Sequence, residues 1–409
     1  MKSLQELYRI GKGPSSSHTM APYRAASLFA AAYPEAESFS AVLYGSLAKT
    51  GRGHLTDAAI FDGLAPRLVE LRFDTETTGL PHPNTLDLAA YKDGRLLGSW
   101  RVLSVGGGAI RILGEPETAA PADIYALDSL AAIKQHCEKQ RLALWQYVAK
   151  EEGEGIWPFL LRIWSRMKNT VYDGLETEGV LPGSLHVQRK AKYLYSQDMD
   201  EEEPATRANR LVCAYAYATA EQNAAGGIIV TAPTCGASGV MPAVLLYCQE
   251  KDGLTDEEIA QALATGGLIG NLIKTNASIS GAECGCQAEI GSACSMAAAA
   301  LAQLYGMDLD QIEYAAELSI EHHLGLTCDP ICGLVQIPCI ERNAVAAMRA
   351  LDSLSLAHFL THTRKISFDM VVQTMYETGR DLFSKYRETS EGGLAKWYHQ
   401  QIPPRPPKR

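Results

Sequence analysis

The sequence predicts an α+β protein, in which a small N-terminal α/β sandwich-like domain precedes a larger, mostly all-α catalytic domain. Three observations point there. At 409 residues the chain is longer than one hydrophobic core usually holds. Short β-like runs alternate with helical stretches up to about Glu115. From Ala126 onward the composition becomes Ala- and Leu-rich with helical spacing, and β-branched runs nearly vanish.

The elements follow in order. Ala21–Ala32 and Thr56–Leu64 read as helices, and Ala41–Gly45 and Leu68–Phe73 as strands, the second alternating apolar with polar residues. Arg95–Val105 reads as a further strand, paired with Thr85–Tyr91 across the turn Lys92-Asp93-Gly94. Leu113–Ala122 has linker composition. The expected division is therefore residues 1–115 as the small α+β domain, 116–150 as linker and connecting helix, and 151–409 as the all-α domain. Helices are expected over Asp128–Glu151, Gly155–Leu175, Pro204–Ala224, Asp256–Ile273, Ala288–Tyr305 and Asp308–His323, with Asp308 as an N-cap. Gly226–Pro233 reads as a short extended piece. Ala297–Ala300 form a featureless apolar wall, as a buried helix would.

Composition narrows the function class. A hydrophobic fraction of 46% and a charged fraction of 21% suit a soluble globular enzyme. The formal charge of −10 argues against a nucleic-acid partner, because phosphate binding needs concentrated Lys and Arg. Arg405, Lys408 and Arg409, set among prolines, read as a solvated tail. No segment approaches the ~20 apolar residues of a membrane span, and Met1–Glu6 lacks the apolar core of a signal peptide. A cytoplasmic protein with reduced thiols is expected. Six of the ten cysteines fall between Cys284 and Cys339, which favours a metal or redox centre over buried space-fillers.

Four segments carry the candidate chemistry. Gly11-Lys12-Gly13-Pro14-Ser15-Ser16-Ser17-His18-Thr19 places hydroxyls and backbone amides at a Gly-Pro turn ahead of a helix, which makes either an anion-binding nest or a Ser-rich cap. In Lys49-Thr50-Gly51-Arg52-Gly53-His54-Leu55-Thr56-Asp57, glycines free the backbone around a histidine that can exchange a proton near neutral pH; a lone surface histidine is the plainer reading. The other two are Asn276–Glu289 and Leu326–Asn343, which hold cysteines in Gly- and Pro-punctuated loops at helix ends. Such loops let sulfurs converge, and helix N-terminal amides stabilise thiolates, so an iron-sulfur cluster leads. The recurring C-x₂-C pairs of a zinc site are absent.

These motifs together resemble the bacterial iron-sulfur L-serine dehydratases. Gly-x-Gly-Pro-Ser-Ser-Ser-His-Thr and Gly51-Arg52-Gly53-His54-x-Thr56-Asp57 resemble the family's β domain. Thr231-Ala232-Pro233-Thr234, Asn276-Ala277-Ser278-Ile279, Gly285-Cys286-Gln287, Ser292–Met296 and Cys328-Asp329-Pro330 through Arg342-Asn343 resemble its α domain. The resemblance runs from Arg9 to about Ala350 in family order. It implies a [4Fe-4S] cluster on Cys286, Cys328 and Cys339, with Cys284 and Cys332 as neighbours and Cys294 structural. Some relatives end in a cysteine that reaches the cluster, whereas this chain ends Cys-free, which leaves one iron without a protein ligand. It also implies a homodimer and, as small-molecule partner, L-serine.

The reaction implied is deamination of L-serine to pyruvate and ammonia without pyridoxal phosphate, the open iron acting as Lewis acid. His54 is the candidate base and His18 a second catalytic candidate. Ser15, Ser16, Ser17 and Thr19, with Asn276 and Ser278, are candidates to bind the substrate. The histidines lie in the small domain and the cysteines in the large one, so the site is expected between domains. Rival readings are an iron-sulfur lyase acting on L-cysteine or L-threonine, and a non-catalytic serine or redox sensor. A pyridoxal-phosphate enzyme would need Lys168 or Lys274, and neither accompanies a Gly-rich phosphate cradle.

Overall fold

The computed structural model describes residues 1–114, 122–197 and 202–401. Most of the Leu113–Ala122 linker and the basic tail lie outside the described residues.

The small domain is a five-stranded sheet with helices on one face. Its strands are β2 (Ser38–Tyr44), β3 (Leu68–Asp74), β4 (Thr85–Lys92), β5 (Arg95–Ser104) and β6 (Ile110–Leu113), in the order β3-β2-β4-β5-β6. β2 and β3 run parallel and the other pairs antiparallel. Period-two alternation turns Phe39, Ala41 and Leu43 inward, where they meet Ala25, Ala26 and Phe29 of α1 (Ala21–Ala32) and Ile60 and Leu64 of α3 (Thr56–Leu64). Between β2 and α3 lies the short helix α2 (Gly45–Thr50).

The large domain is helical. The expected helix over Asp128–Glu151 is two helices, α4 (Leu130–Gln140) and α5 (Leu144–Glu152), because Arg141 ends the first in a left-handed conformation. There follow α6 (Ile156–Glu176), α7 (Ala191–Ser196), α8 (Pro204–Ala224), the strand β7 (Ile228–Val230), α9 (Val240–Asp252), α10 (Asp256–Asn276) and α11 (Gly281–Cys284). The order ends with α12 (Ile290–Leu304), α13 (Leu309–Glu321), α14 (Cys339–Leu360), α15 (Phe368–Asp381) and α16 (Gly393–Gln401). α12, the expected alanine wall, is buried from Ile290 to Ala302 and packs against α9, α10, α13 and α14. Asp308 caps α13, accepting the Gln311 amide at 2.8 Å.

The start of the chain belongs to the helical core. Met1, Leu4, Leu7 and Tyr8 are buried there, and the Tyr8 hydroxyl donates to the Leu263 carbonyl at 2.9 Å. Burying each of these larger side chains is worth roughly 1.5–3 kcal/mol. β1 (Ile10–Lys12) then pairs antiparallel with β7, Ile10 opposite Val230. The Ser-rich segment is thus launched from the edge of the large domain before the chain enters the small one.

Candidate active site

The Ser-rich segment forms one turn of wide helix over Ser16–Met20, running directly into α1. Ser15 caps it, its Oγ accepting the His18 amide at 3.1 Å, and the Ser15 amide donates to Thr19 Oγ1 at 3.1 Å. Thr19 Oγ1 donates in turn to the His54 carbonyl at 2.7 Å, tying the two histidine loops together. Gly13 admits no side chain, since a Cβ there would run into the Asn223 backbone and side-chain oxygens.

The two imidazoles stack, with ring centroids 4.5 Å apart, and both are fully enclosed. His54 Nδ1 lies 3.0 Å from the Thr50 carbonyl, an acceptor only, so this nitrogen carries the proton and Nε2 keeps its lone pair. Both nitrogens of His18 are occupied, Nδ1 by Ser17 Oγ at 2.9 Å and Nε2 by Ser46 Oγ at 3.1 Å. Burial pushes His54 down to about 4. It lowers His18 well below the usual imidazole range, and neighbouring His54 adds to this. Both are neutral at pH 7.

The cysteine loops approach from the other side. Cys286 opens a short turn before α12, its amide held by the Leu326 carbonyl at 3.0 Å. Cys328 is pinned by the C-terminal strap: its amide donates to the Tyr386 carbonyl and its carbonyl accepts the Glu388 amide, both at 2.8 Å. Cys339 begins α14. Burial raises all three thiols, while the Arg342 guanidinium beside Cys286 and Cys339 works in the opposite direction.

These parts enclose one cavity between the domains. Ser15 and His54 line it from the small domain; Cys286, Cys328, Cys339, Glu289 and Glu388 line it from the large one. Burial raises the Glu289 and Glu388 carboxyls, and for Glu388 the nearby Glu289 adds to the effect. Arg342 is the cation facing the thiols, with one amino group on the Thr327 carbonyl at 2.7 Å and another 3.9 Å from Asp329 Oδ1.

The sequence model of the serine dehydratase alpha chain matches residues 125–395, and that of the beta chain matches residues 3–71. The chain belongs to the serine dehydratase family. Similar relatives are the L-serine dehydratase of Streptomyces coelicolor, 41% identical over 96% of this chain and 98% of its own, and L-serine dehydratase 2 of Escherichia coli, 38% identical over 97% and 98%. That of Helicobacter pylori is 37% identical over 96% and 98%.

In this serine dehydratase the candidate residues divide into three groups. Ser15, His54, Cys286, Cys328 and Cys339 meet at the cavity. His18, Ser17 and Thr19 stand directly behind as hydrogen-bonding support, and Ser16 faces Cys235. Asn276 and Ser278 do not line the cavity. Asn276 is exposed at the end of α10, its amide donating to the Asp128 and Leu272 carbonyls, and Ser278 Oγ donates to Glu283. Cys284 packs against Gly379 of α15, Cys294 points to the Ala346 carbonyl, and Cys332 lines a separate surface hollow. Lys168 pairs with Asp256 at 2.7 Å and Lys274 donates to the Glu6 carbonyl, both away from the cavity.

Sequence reasoning missed Glu289 and Glu388 and gave Arg342 no role. It also passed over His82, whose Nε2 lies 3.0 Å from Glu283 Oε1, and Asn84, whose buried side-chain amide has no hydrogen-bond partner among the described residues. Glu289 and Arg342 stand within the cysteine motifs and could have been found there. Glu388 lies in Tyr386-Arg387-Glu388-Thr389-Ser390, which carries no signal of its own. No helix among the described residues is long and apolar enough to cross a membrane.

Proposed function

We propose that this chain is an L-serine ammonia-lyase, converting L-serine to pyruvate and ammonia on a [4Fe-4S] cluster held by Cys286, Cys328 and Cys339. The observation that carries the reading is the convergence of two buried thiols, those of Cys286 and Cys328, the half-buried Cys339 and an imidazole with a free lone pair on one cavity. The donor set suits such a cluster. Cys286, Cys328 and Cys339 line one cavity, and thiolates are the ligands such a cluster takes. Arg342 offsets the charge of the thiolates. When bound, the cluster supplies a Lewis acid for the departing hydroxyl.

The chain's own residues do the rest. His54 Nε2 takes the proton from Cα, and a positioned base of this kind contributes about 10²–10⁴-fold. The Thr50 carbonyl holds the ring and stabilises the imidazolium that forms. Ser15, fixed by Thr19 and the His18 amide, offers its hydroxyl to the substrate carboxylate. Closure between the two domains excludes bulk water. Loss of the Cα proton and the β-hydroxyl leaves an enamine, which tautomerises to the imine and hydrolyses to pyruvate and ammonia. Neutral His18, saturated by two serine hydroxyls, orients the site without exchanging a proton. We further propose a cytoplasmic homodimer. The test is pyruvate formation from L-serine, with L-threonine and L-cysteine alongside, by anaerobically reconstituted protein. Turnover of L-serine supports the reading; a protein that holds iron and sulfide yet turns over none of the three refutes it.

A further inference from the structure

Glu388 is a wall of the cavity whose carboxyl oxygen Oε2 has no hydrogen-bond partner among the described residues. Its side chain is buried, with the residue 5% exposed, and its backbone adopts φ +57°, a left-handed conformation that non-glycine residues rarely take. Its amide is bound by the Cys328 carbonyl, and its own carbonyl accepts Ser46 Oγ at 2.8 Å. The backbone is therefore clamped from both domains, and the clamp aims the carboxylate inward. Oε1 lies 3.5 Å from His18 Nδ1 and 3.8 Å from His54 Nε2, beyond ordinary hydrogen-bond length, and Oε2 has no partner. His18 Nδ1 is already engaged by Ser17, and His54 Nε2 bears a lone pair, so neither ring donates to this carboxylate. Arg342 faces the thiols and Asp329.

A buried carboxyl group with an oxygen left without a partner is costly, and such a group persists where a ligand completes it. The substrate proposed above brings a cation. An α-amino acid has an ammonium group beside the very Cα–H that His54 must reach, and two neutral imidazoles do not repel it.

We infer that the Glu388 carboxylate receives the α-ammonium group of the substrate and thereby makes the cavity specific for 2-amino acids over their 2-hydroxy counterparts. The inference rests on the proposed lyase reading and adds a specificity-determining residue to it. Glu289, the other carboxylate on the wall, already feels the charge of Arg342 and lacks this placement between the histidines.

The experiment uses the reconstituted holoenzyme and its Glu388→Gln variant, which keeps the volume and removes the charge. L-alanine, which retains the ammonium, and L-lactate, which carries a hydroxyl in its place, serve as competitive inhibitors of L-serine turnover. A charge-assisted hydrogen bond lost to Gln is worth about 10- to 100-fold. The KM for L-serine and the Ki for L-alanine should rise by about that factor while the Ki for L-lactate holds within about threefold. Glu388→Asp, with its charge kept on a shorter arm, should restore part of the preference for L-alanine, and it serves alone if the Gln variant does not fold. Equal shifts for both inhibitors, or none, overturn the inference. Wild-type protein that makes no pyruvate from L-serine instead sinks the lyase reading.

Discussion

Gly53 and Gly333 touch backbone to backbone: a Cβ on Gly53 would stand 2.6 Å from the Gly333 carbonyl carbon and overlap its oxygen. The loop that presents His54 and the loop between Cys328 and Cys339 are therefore packed to contact, and no side chain fits between them. This approach explains the glycine beside the histidine better than turn geometry does, because Gly53 is not among the positive-φ glycines.

Gly53→Ala should accordingly push the two loops apart. Overpacking of this kind typically costs about 1–3 kcal/mol. The expected result is a lower unfolding midpoint and a larger proportional loss of turnover than of iron content, because base and thiols are displaced relative to each other. Iron analysis and pyruvate assays on the same preparation check it.

His54→Gln should lower turnover by about 10²–10⁴-fold while leaving the visible absorbance of the cluster in place. The ring lies in the small domain, held through Nδ1 by Thr50, and no cysteine contributes to that bond. Parallel loss of absorbance and activity would give His54 a structural role.

Acid should destabilise the protein through the same ring. His54 titrates at about 4 when folded against 6.5 for a free imidazole. Between these values the unfolded chain takes up a proton that the folded chain refuses, so stability falls as pH drops from 6.5 toward 4. The difference corresponds to about 3 kcal/mol. Denaturant unfolding of metal-free protein at pH 7 and pH 4 should show a loss smaller by about that amount in His54→Gln.

Much of the architecture was legible from periodicity. α1 and α3 fall where their apolar spacing puts them, and the β4–β5 hairpin turns at Asp93-Gly94. The break between α4 and α5 was hidden, because Arg141 takes the left-handed position that glycine usually marks. α9 was not expected, although its Pro242 stands in a first turn, where proline is tolerated. At the site, the motifs led to Ser15, His54 and the three cysteines. They also pointed to Asn276, which stands at the end of α10, donates to the Leu272 carbonyl and does not line the cavity. Glu388 reaches the cavity only through tertiary clamps on Cys328 and Ser46, about which local sequence is silent.

The most direct measurement is iron and sulfide content, with L-serine deamination, for anaerobically reconstituted Cys286→Ser, Cys328→Ser and Cys339→Ser, beside Cys294→Ser as control. Cys294 lies on α12 with its thiol on the Ala346 carbonyl, away from the cavity. The account predicts that each of the three cavity variants loses cluster and turnover together while the control keeps both. A full cluster and unimpaired deamination in any one of the three would contradict it.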